Sequence, residues 1–125
     1  MLLATASLIW YNSHRAMKLN PRHSRPRYDA RARIAKALAH PSRLMILEAL
    51  EEREVCVCDL TELVGADQST VSKHLALLKQ AGLVEDRKDG VMVYYKLKVC
   101  CLQGFWDCIE TVLSQNLKAQ QAVLR

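Results

Sequence analysis

Apolar residues recur at helical spacing in four successive stretches before the period changes. The first runs from about Asp29 to Ala39, with Ile34 and Leu38 one turn apart. His40-Pro41-Ser42 breaks it, because the residue before a proline is pushed out of the helical region. The second, SRLMILEALEE, places Leu44, Leu47 and Leu50 on one face. Two shorter helices follow, about Val57–Val64 and Gln68–Ala81, each stopped by a glycine, Gly65 and Gly82. Val71, Leu75 and Leu78 fall at i, i+4 and i+7 and predict the buried stripe of the second. Two short helices joined by the tight turn GADQ predict a helix-turn-helix. Beyond Gly82 the period moves toward two, and LVEDR and VMVYYKL flank Asp89-Gly90 as a hairpin, which in this place is a wing. A long last helix, Cys100–Leu117, carries Leu102, Phe105, Trp106, Ile109, Val112, Leu113 and Leu117 on one side. So large an apolar stripe covers the core or meets a second copy, and a homodimer is the expectation. The predicted fold is mainly α with a small β-hairpin wing (α+β), a winged helix-turn-helix in the order α-α-α-α-β-β-α.

At 125 residues the chain is one domain's worth, and with 50% hydrophobic and 25% charged residues it is globular rather than disordered. The net charge of +5 is unevenly spread. Residues 15–36 hold eight Lys/Arg against Asp29 alone, +7, and the rest of the chain holds ten against twelve acids, −2. Residues 1–28 therefore read as an N-terminal extension and basic arm, 29–117 as the DNA-binding and dimerisation domain, and 118–125 as a C-terminal tail. The opening MLLATASLIWYNSHRAM has an apolar run of about ten residues, half a membrane span, without the charged start of a signal peptide. No membrane association and a cytoplasmic location are expected, with Met17 a candidate initiator. No nucleophile–base constellation or phosphate-binding loop appears, so neither an enzyme nor a catalytic cofactor is expected.

With Val71 facing inward, Ser69, Ser72 and Lys73 point outward on the second short helix, Thr70 lies on its flank and Gln68 opens it. Hydroxyls and backbone amides suit phosphates, and Gln and Lys reach base edges. Arg87 and Lys88 on the wing complete a surface for a double-stranded DNA operator. His74 falls nearer the buried stripe and reads as a half-buried structural histidine. Since the domain outside the arm is mildly acidic, specific binding needs a dimer to double the contacts, with the basic arm as a further phosphate element.

Five cysteines fall in two clusters, Cys56/Cys58 and Cys100/Cys101/Cys108. Clustered thiols in a helical chain with four Gly and three Pro point to metal binding or redox chemistry rather than a secreted disulfide framework. With Cys56 as N-cap, Asp59 takes the N3 position and Cys58 the first turn, so both thiols face the positive end of the helix, which favours the thiolate. Residues i and i+2 of a regular helix point about 200° apart, so the pair is expected to converge only if the first turn bends. Ligand binding would then distort the helix that supports the DNA-reading one. The plainer reading, two small buried hydrophobes, stands beside it. Cys101 and Cys108 are too far apart along one helix to share an ion. Cys100 or Cys101, at the frayed start, is the candidate third ligand, and Cys108 reads as packing, with a separate C-terminal site or a vicinal pair that senses oxidation as alternatives.

ALAHPSRLMILEAL and EVCVCDLTELVGADQSTVSKHLALLKQAGLVEDRKDGVMVYYKL, with the closing helix, resemble the ArsR/SmtB family of winged-helix metal-responsive repressors over about residues 30–115. CVCDL is similar to the thiolate motif of arsenite-responsive members and to that of cadmium/lead-responsive ones. The resemblance implies operator binding as a dimer with release by metal, a ligand role for Cys56 and Cys58, and a place in the major groove for Gln68–His74. It departs in three ways. Thr61 stands where arsenite-type motifs often have a third cysteine. The arm lacks the cysteines of cadmium-type members, and Cys100–Leu117 lacks the histidines of zinc sensors. A soft, thiophilic ion of low coordination, arsenite or antimonite, is therefore the expected regulatory ligand, with another soft metal such as cadmium or lead, or thiol oxidation, as the alternative.

Overall fold

Polar caps and left-handed glycines set the element boundaries in a computed structural model that describes residues 20–100 and 102–124. Helix α1 spans Arg25–Leu38 and α2 spans Pro41–Glu52. Between them His40 is extended, and its Nδ1 accepts a hydrogen bond from the Ser42 amide at 3.1 Å. Pro41 sits in the first turn, where no amide is needed. A two-residue strand β1, Val55–Cys56, leads directly into α3, Val57–Val64, and then α4, Gln68–Gln80. Gly82 ends α4 at φ 80°. Its amide donates to the Lys79 carbonyl and that of Leu83 to the Leu78 carbonyl, both at 3.0 Å, the paired bonds of a Schellman cap. That cap turns the chain into β2, Val84–Asp89, which returns as β3, Met92–Leu97, before α5, Gln103–Val123.

The architecture is the winged helix-turn-helix, five helices among the described residues with a small antiparallel sheet, and the helices and hairpin follow the predicted order. The sheet has one strand more than expected. Its order is β1-β3-β2, with Val55 opposite Tyr95 and Cys56 opposite Tyr94. Two residues are too few to show a period of two. The hairpin turn also sits one residue later than an Asp89-Gly90 centre: Asp89 pairs with Met92, leaving Gly90 and Val91 as the turn. Gly90, at φ 61°, holds the first central position, where a type II′ turn requires a positive φ.

The chain divides between Ala32 and Arg33 into two compact units. In the first, Arg25 Nε pairs with Asp29 Oδ1 at 3.2 Å and the Arg31 guanidinium lies 5.6 Å from the Tyr28 ring centre. Helix α1 begins at Arg25 rather than at Asp29, because Pro26 is tolerated in a first turn. The basic arm was expected to run to residue 28 ahead of the first helix, and its last four residues are already helical, while residues 1–19 lie outside those described.

In the second unit Ile46, Leu47, Leu60, Val71, Leu75, Leu78 and Val84 are fully buried. The predicted stripe of α4 is thus the observed one. On α2 the buried set is Ile46, Leu47 and Leu50, with Leu44 only half-buried, because α2 is packed by α3, α4 and β3 together and a broader face is covered. Ile34 on α1 is exposed and Ala37 is buried in its place. At the start of α5, Leu102 and Trp106 pack on the core, and Trp106 Nε1 donates to Glu51 Oε1 at 2.9 Å. Further along, Ile109, Val112, Leu113 and Leu117 are 37–56% exposed, and the helix continues past Leu117 to Val123. None of the helices among the described residues is long and apolar enough to cross a membrane.

Leu75→Ala should cost about 2–5 kcal/mol in a urea unfolding titration, since Leu75 is completely buried. Leu77→Ala, on the exposed side of the same helix, should stay within about 0.5 kcal/mol of the parent, so equal losses would place the core elsewhere.

Candidate thiol site and nucleic-acid interface

Cys56 is the N-cap of α3, extended at φ −74° and ψ 156°, and its Sγ accepts from the Asp59 amide at 3.4 Å. Val57 begins the helix, which places Cys58 in the first turn and Asp59 at N3, as the sequence predicts. The two sulfurs meet as a disulfide, with Cα atoms 5.4 Å apart. The expectation that the pair converges only through a bent first turn is therefore corrected. Cys56 has strand geometry, so its side chain does not follow the helical rotation, and α3 starts regularly with its cap bond intact. Cys56 is buried and Cys58 exposed, so the pair is neither wholly core nor wholly surface.

A carboxylate oxygen of Asp59 joins the two sulfurs in a cluster whose donor atoms all lie within 4.8 Å of one another. Two sulfurs bound to one ion lie at most ~4.6 Å apart for metal–sulfur bonds of about 2.3 Å, a separation that the pair would reach once its disulfide is reduced, and Cys56, Cys58 and Asp59 would then hold the ion. Sequence reasoning placed Asp59 as a helix-capping residue only; its adjacency to Cys58 was the available signal. Thr61 spends its hydroxyl on the Val57 carbonyl at 2.8 Å and stands outside the cluster. Cys100 and Cys108 are free and exposed, and neither belongs to the cluster. Cys108, read as packing, lies instead on the uncovered side of α5, in an apolar groove with Phe105, Ile109, Val112 and Leu113. Cys101 lies outside the described residues.

On α4, Gln68, Ser69, Ser72 and Lys73 are exposed and Thr70 is half-buried. The hydroxyls are not idle. Asp67, the N-cap, accepts from Ser69 Oγ at 2.5 Å and from Thr70 Oγ1, and these bonds hold its carboxyl below the usual carboxylate range. Two donors assigned to phosphates thus begin on a neighbouring acid. Lys79 Nζ reaches Asp86 Oδ1 at 2.8 Å and ties the end of α4 to β2. On the wing, Arg87 Nε meets Glu54 Oε1 at 2.5 Å and its guanidinium lies 4.6 Å from the Tyr94 ring centre. Lys73 and Lys88 are exposed and form no ion pair within 4.0 Å among the described residues.

His74 faces inward from α4. Its ring centre is 4.4 Å from that of His40, and its Nδ1 lies 3.3 Å from Arg43 Nη1. Arg43 also donates to the carbonyls of Ala37 at 2.7 Å and Lys36 at 3.3 Å, so its guanidinium caps the end of α1 and joins α2 to α4. Burial, then His40, then Arg43 push the His74 pKa below 6.5.

A helix-turn-helix with a β wing and an exposed polar face on its second helix defines a DNA-binding regulator rather than an enzyme. Residues 40–86 match the family described as "Bacterial regulatory protein, arsR family". The chain is 36% identical over 102 residues to an uncharacterized HTH-type transcriptional regulator of Mycobacterium tuberculosis, Rv0081, covering 81% of this chain and 90% of that protein. The crystal structure of Rv0081 superposes with a TM-score of 0.67, covering 78% of this chain and 98% of that one. The arsenical resistance operon repressor of Escherichia coli is 46% identical over 65 residues, 51% of this chain and 56% of that protein. The cadmium resistance regulator CadC of Listeria innocua is 45% identical over 64 residues, 50% and 54% of the respective chains. The chain belongs to the ArsR family of transcriptional regulators.

The inward histidine carries a pH signature. Its folded pKa lies below the unfolded value, so its contribution to stability is complete above about pH 6.5 and is lost as the pH falls toward the folded value. His74→Gln should flatten the fall in unfolding free energy on going below pH 6.5, measured by denaturant titrations across pH. A slope identical to the parent's would remove His74 as its source.

Proposed function

We propose that the protein is a homodimeric repressor that sits on a double-stranded DNA operator and leaves it when arsenite or antimonite binds the thiolates of Cys56 and Cys58. These are freed when a small-molecule thiol supplies the two electrons that open their disulfide and is itself oxidised to a disulfide. The observation that carries this reading is the meeting of the two sulfurs at the mouth of α3, the helix packed against α4. Helix α4 enters the major groove. Gln68 and Lys73 reach base edges there, Ser69, Thr70 and Ser72 turn their hydroxyls from Asp67 or solvent to phosphates, and Arg87 and Lys88 bring the wing to the backbone. A second copy packs on the exposed apolar length of α5, and the pair spans two half-sites. The similarity to the arsenical repressor supports the ligand class. Arsenite prefers three thiolates, so a third comes from Cys100, Cys101 or a small thiol in solution.

A second reading, a divalent soft ion such as cadmium or lead, is favoured by one specific observation. Asp59 offers an oxygen in the same cluster, and a mixed sulfur and oxygen donor set suits such an ion better than arsenite. The similarity to CadC points the same way.

Two experiments test the proposal. In a mobility-shift titration Cys58→Ser should bind operator as the parent does and no longer release it on arsenite; release that survives removes Cys58 from the site. Leu113→Glu should sediment as a monomer and bind operator at least about tenfold more weakly, because half the contacts are lost. A persisting dimer would place the interface elsewhere.

A further inference from the structure

Resting on the thiolate reading above, we propose that Glu54 is a positioning residue that takes Arg87 away from DNA when Cys56 and Cys58 are occupied. The link runs through the sheet rather than through α3. Cys56 is opposite Tyr94 in the β1–β3 pair, and Arg87 is opposite Tyr94 in the β3–β2 pair. The three residues form one row across the sheet, and directly opposed side chains share a face. Glu54, two residues before Cys56, falls on that face by alternation. The contacts follow: Arg87 Nε donates to Glu54 Oε1 at 2.5 Å, its guanidinium covers the Tyr94 ring at 4.6 Å, and its Nη1 lies 3.7 Å from Asp89 Oδ2. A thiol ligand and a wing cation are thus separated by one aromatic ring and one carboxylate.

The strength of this clamp suits a switch. The Arg87 and Glu54 side chains are 52% and 30% exposed, and ion pairs at such sites add little to stability. A DNA phosphate therefore competes with Glu54 for the guanidinium on nearly equal terms. The contact of Glu54 with Arg87 is seen with Cys56 tied to Cys58 by a disulfide, and a chelate that ties the same two sulfurs fixes β1 against Tyr94 in the same way and keeps Arg87 there. With the thiols free, β1 shifts against β3 at little cost, as a two-residue strand can, and Arg87 passes to the backbone. Lys88, which has no ion pair among the described residues, contacts DNA in both states and does not report the ligand.

The test compares full-length wild type with Glu54→Gln, which keeps size and removes the charge. With both proteins held reduced by a phosphine, operator affinity is measured by fluorescence anisotropy with and without arsenite, and arsenite occupancy by its sulfur charge-transfer absorption. Glu54→Gln should bind arsenite like wild type, but the ratio of the two operator affinities should shrink by about fivefold or more, with the operator's effect on arsenite affinity shrinking by the same factor. With arsenite bound, its log affinity against log salt should steepen by about one cation, the freed Arg87. Glu54→Asp, retaining the carboxylate, should restore most of the response. A Glu54→Gln protein that binds arsenite and releases operator within about twofold of the wild-type ratio overturns the link while leaving the thiolate reading intact. A wild type that does not bind arsenite, or does not respond to it, overturns both.

Discussion

Cys56 serves three neighbours from one backbone position. Its extended conformation pairs it with Tyr94 in the sheet, its sulfur caps α3 through the Asp59 amide, and the same sulfur meets Cys58. These demands are compatible only because φ −74° and ψ 156° belong to a strand while the next residue begins a helix. Were Cys56 one residue further into α3, the sulfurs would diverge and the sheet would lose its third strand. The junction therefore joins the thiol pair to α4 through the packing of α3 and to the wing through β3.

The exposed faces of α4 and the wing carry few unpaired charges. Arg87 is held by Glu54, Lys79 by Asp86, Lys96 by Glu85, and the hydroxyls of Ser69 and Thr70 by Asp67. Lys73 and Lys88 are left as exposed cations on α4 and the wing. In the proposed reading, the uncovered apolar length of α5 is where a second copy doubles these contacts.

Most of the fold was legible because its signals are periodic. Val71, Leu75 and Leu78 named the buried side of α4, and Gly65, Gly82 and Pro41 named where helices stop and start. The cap role of Cys56 was legible too, from the spacing of Cys56, Cys58 and Asp59. Strand β1 was not, since two residues show no alternation and their partner lies about forty positions away in sequence. Missing β1 had a cost: it made the thiol pair look dependent on a distorted helix, when the strand-to-helix junction already brings the sulfurs together. The Glu54–Arg87 contact was hidden for the same reason, and so was the use of Ser69 and Thr70 by Asp67, because a hydroxyl's partner is a matter of rotamer rather than of pattern. The exposure of Cys108 was not legible, because the covered and uncovered sides of α5 are both apolar along the helix.

Thiolate ligation at the α3 junction is tested most directly by arsenic X-ray absorption on the arsenite-loaded protein, which counts sulfur neighbours. Sulfur-only coordination in wild type, losing sulfur on Cys58→Ser, is the predicted result. Arsenic surrounded by oxygen, or a sulfur count indifferent to Cys58→Ser, would contradict it.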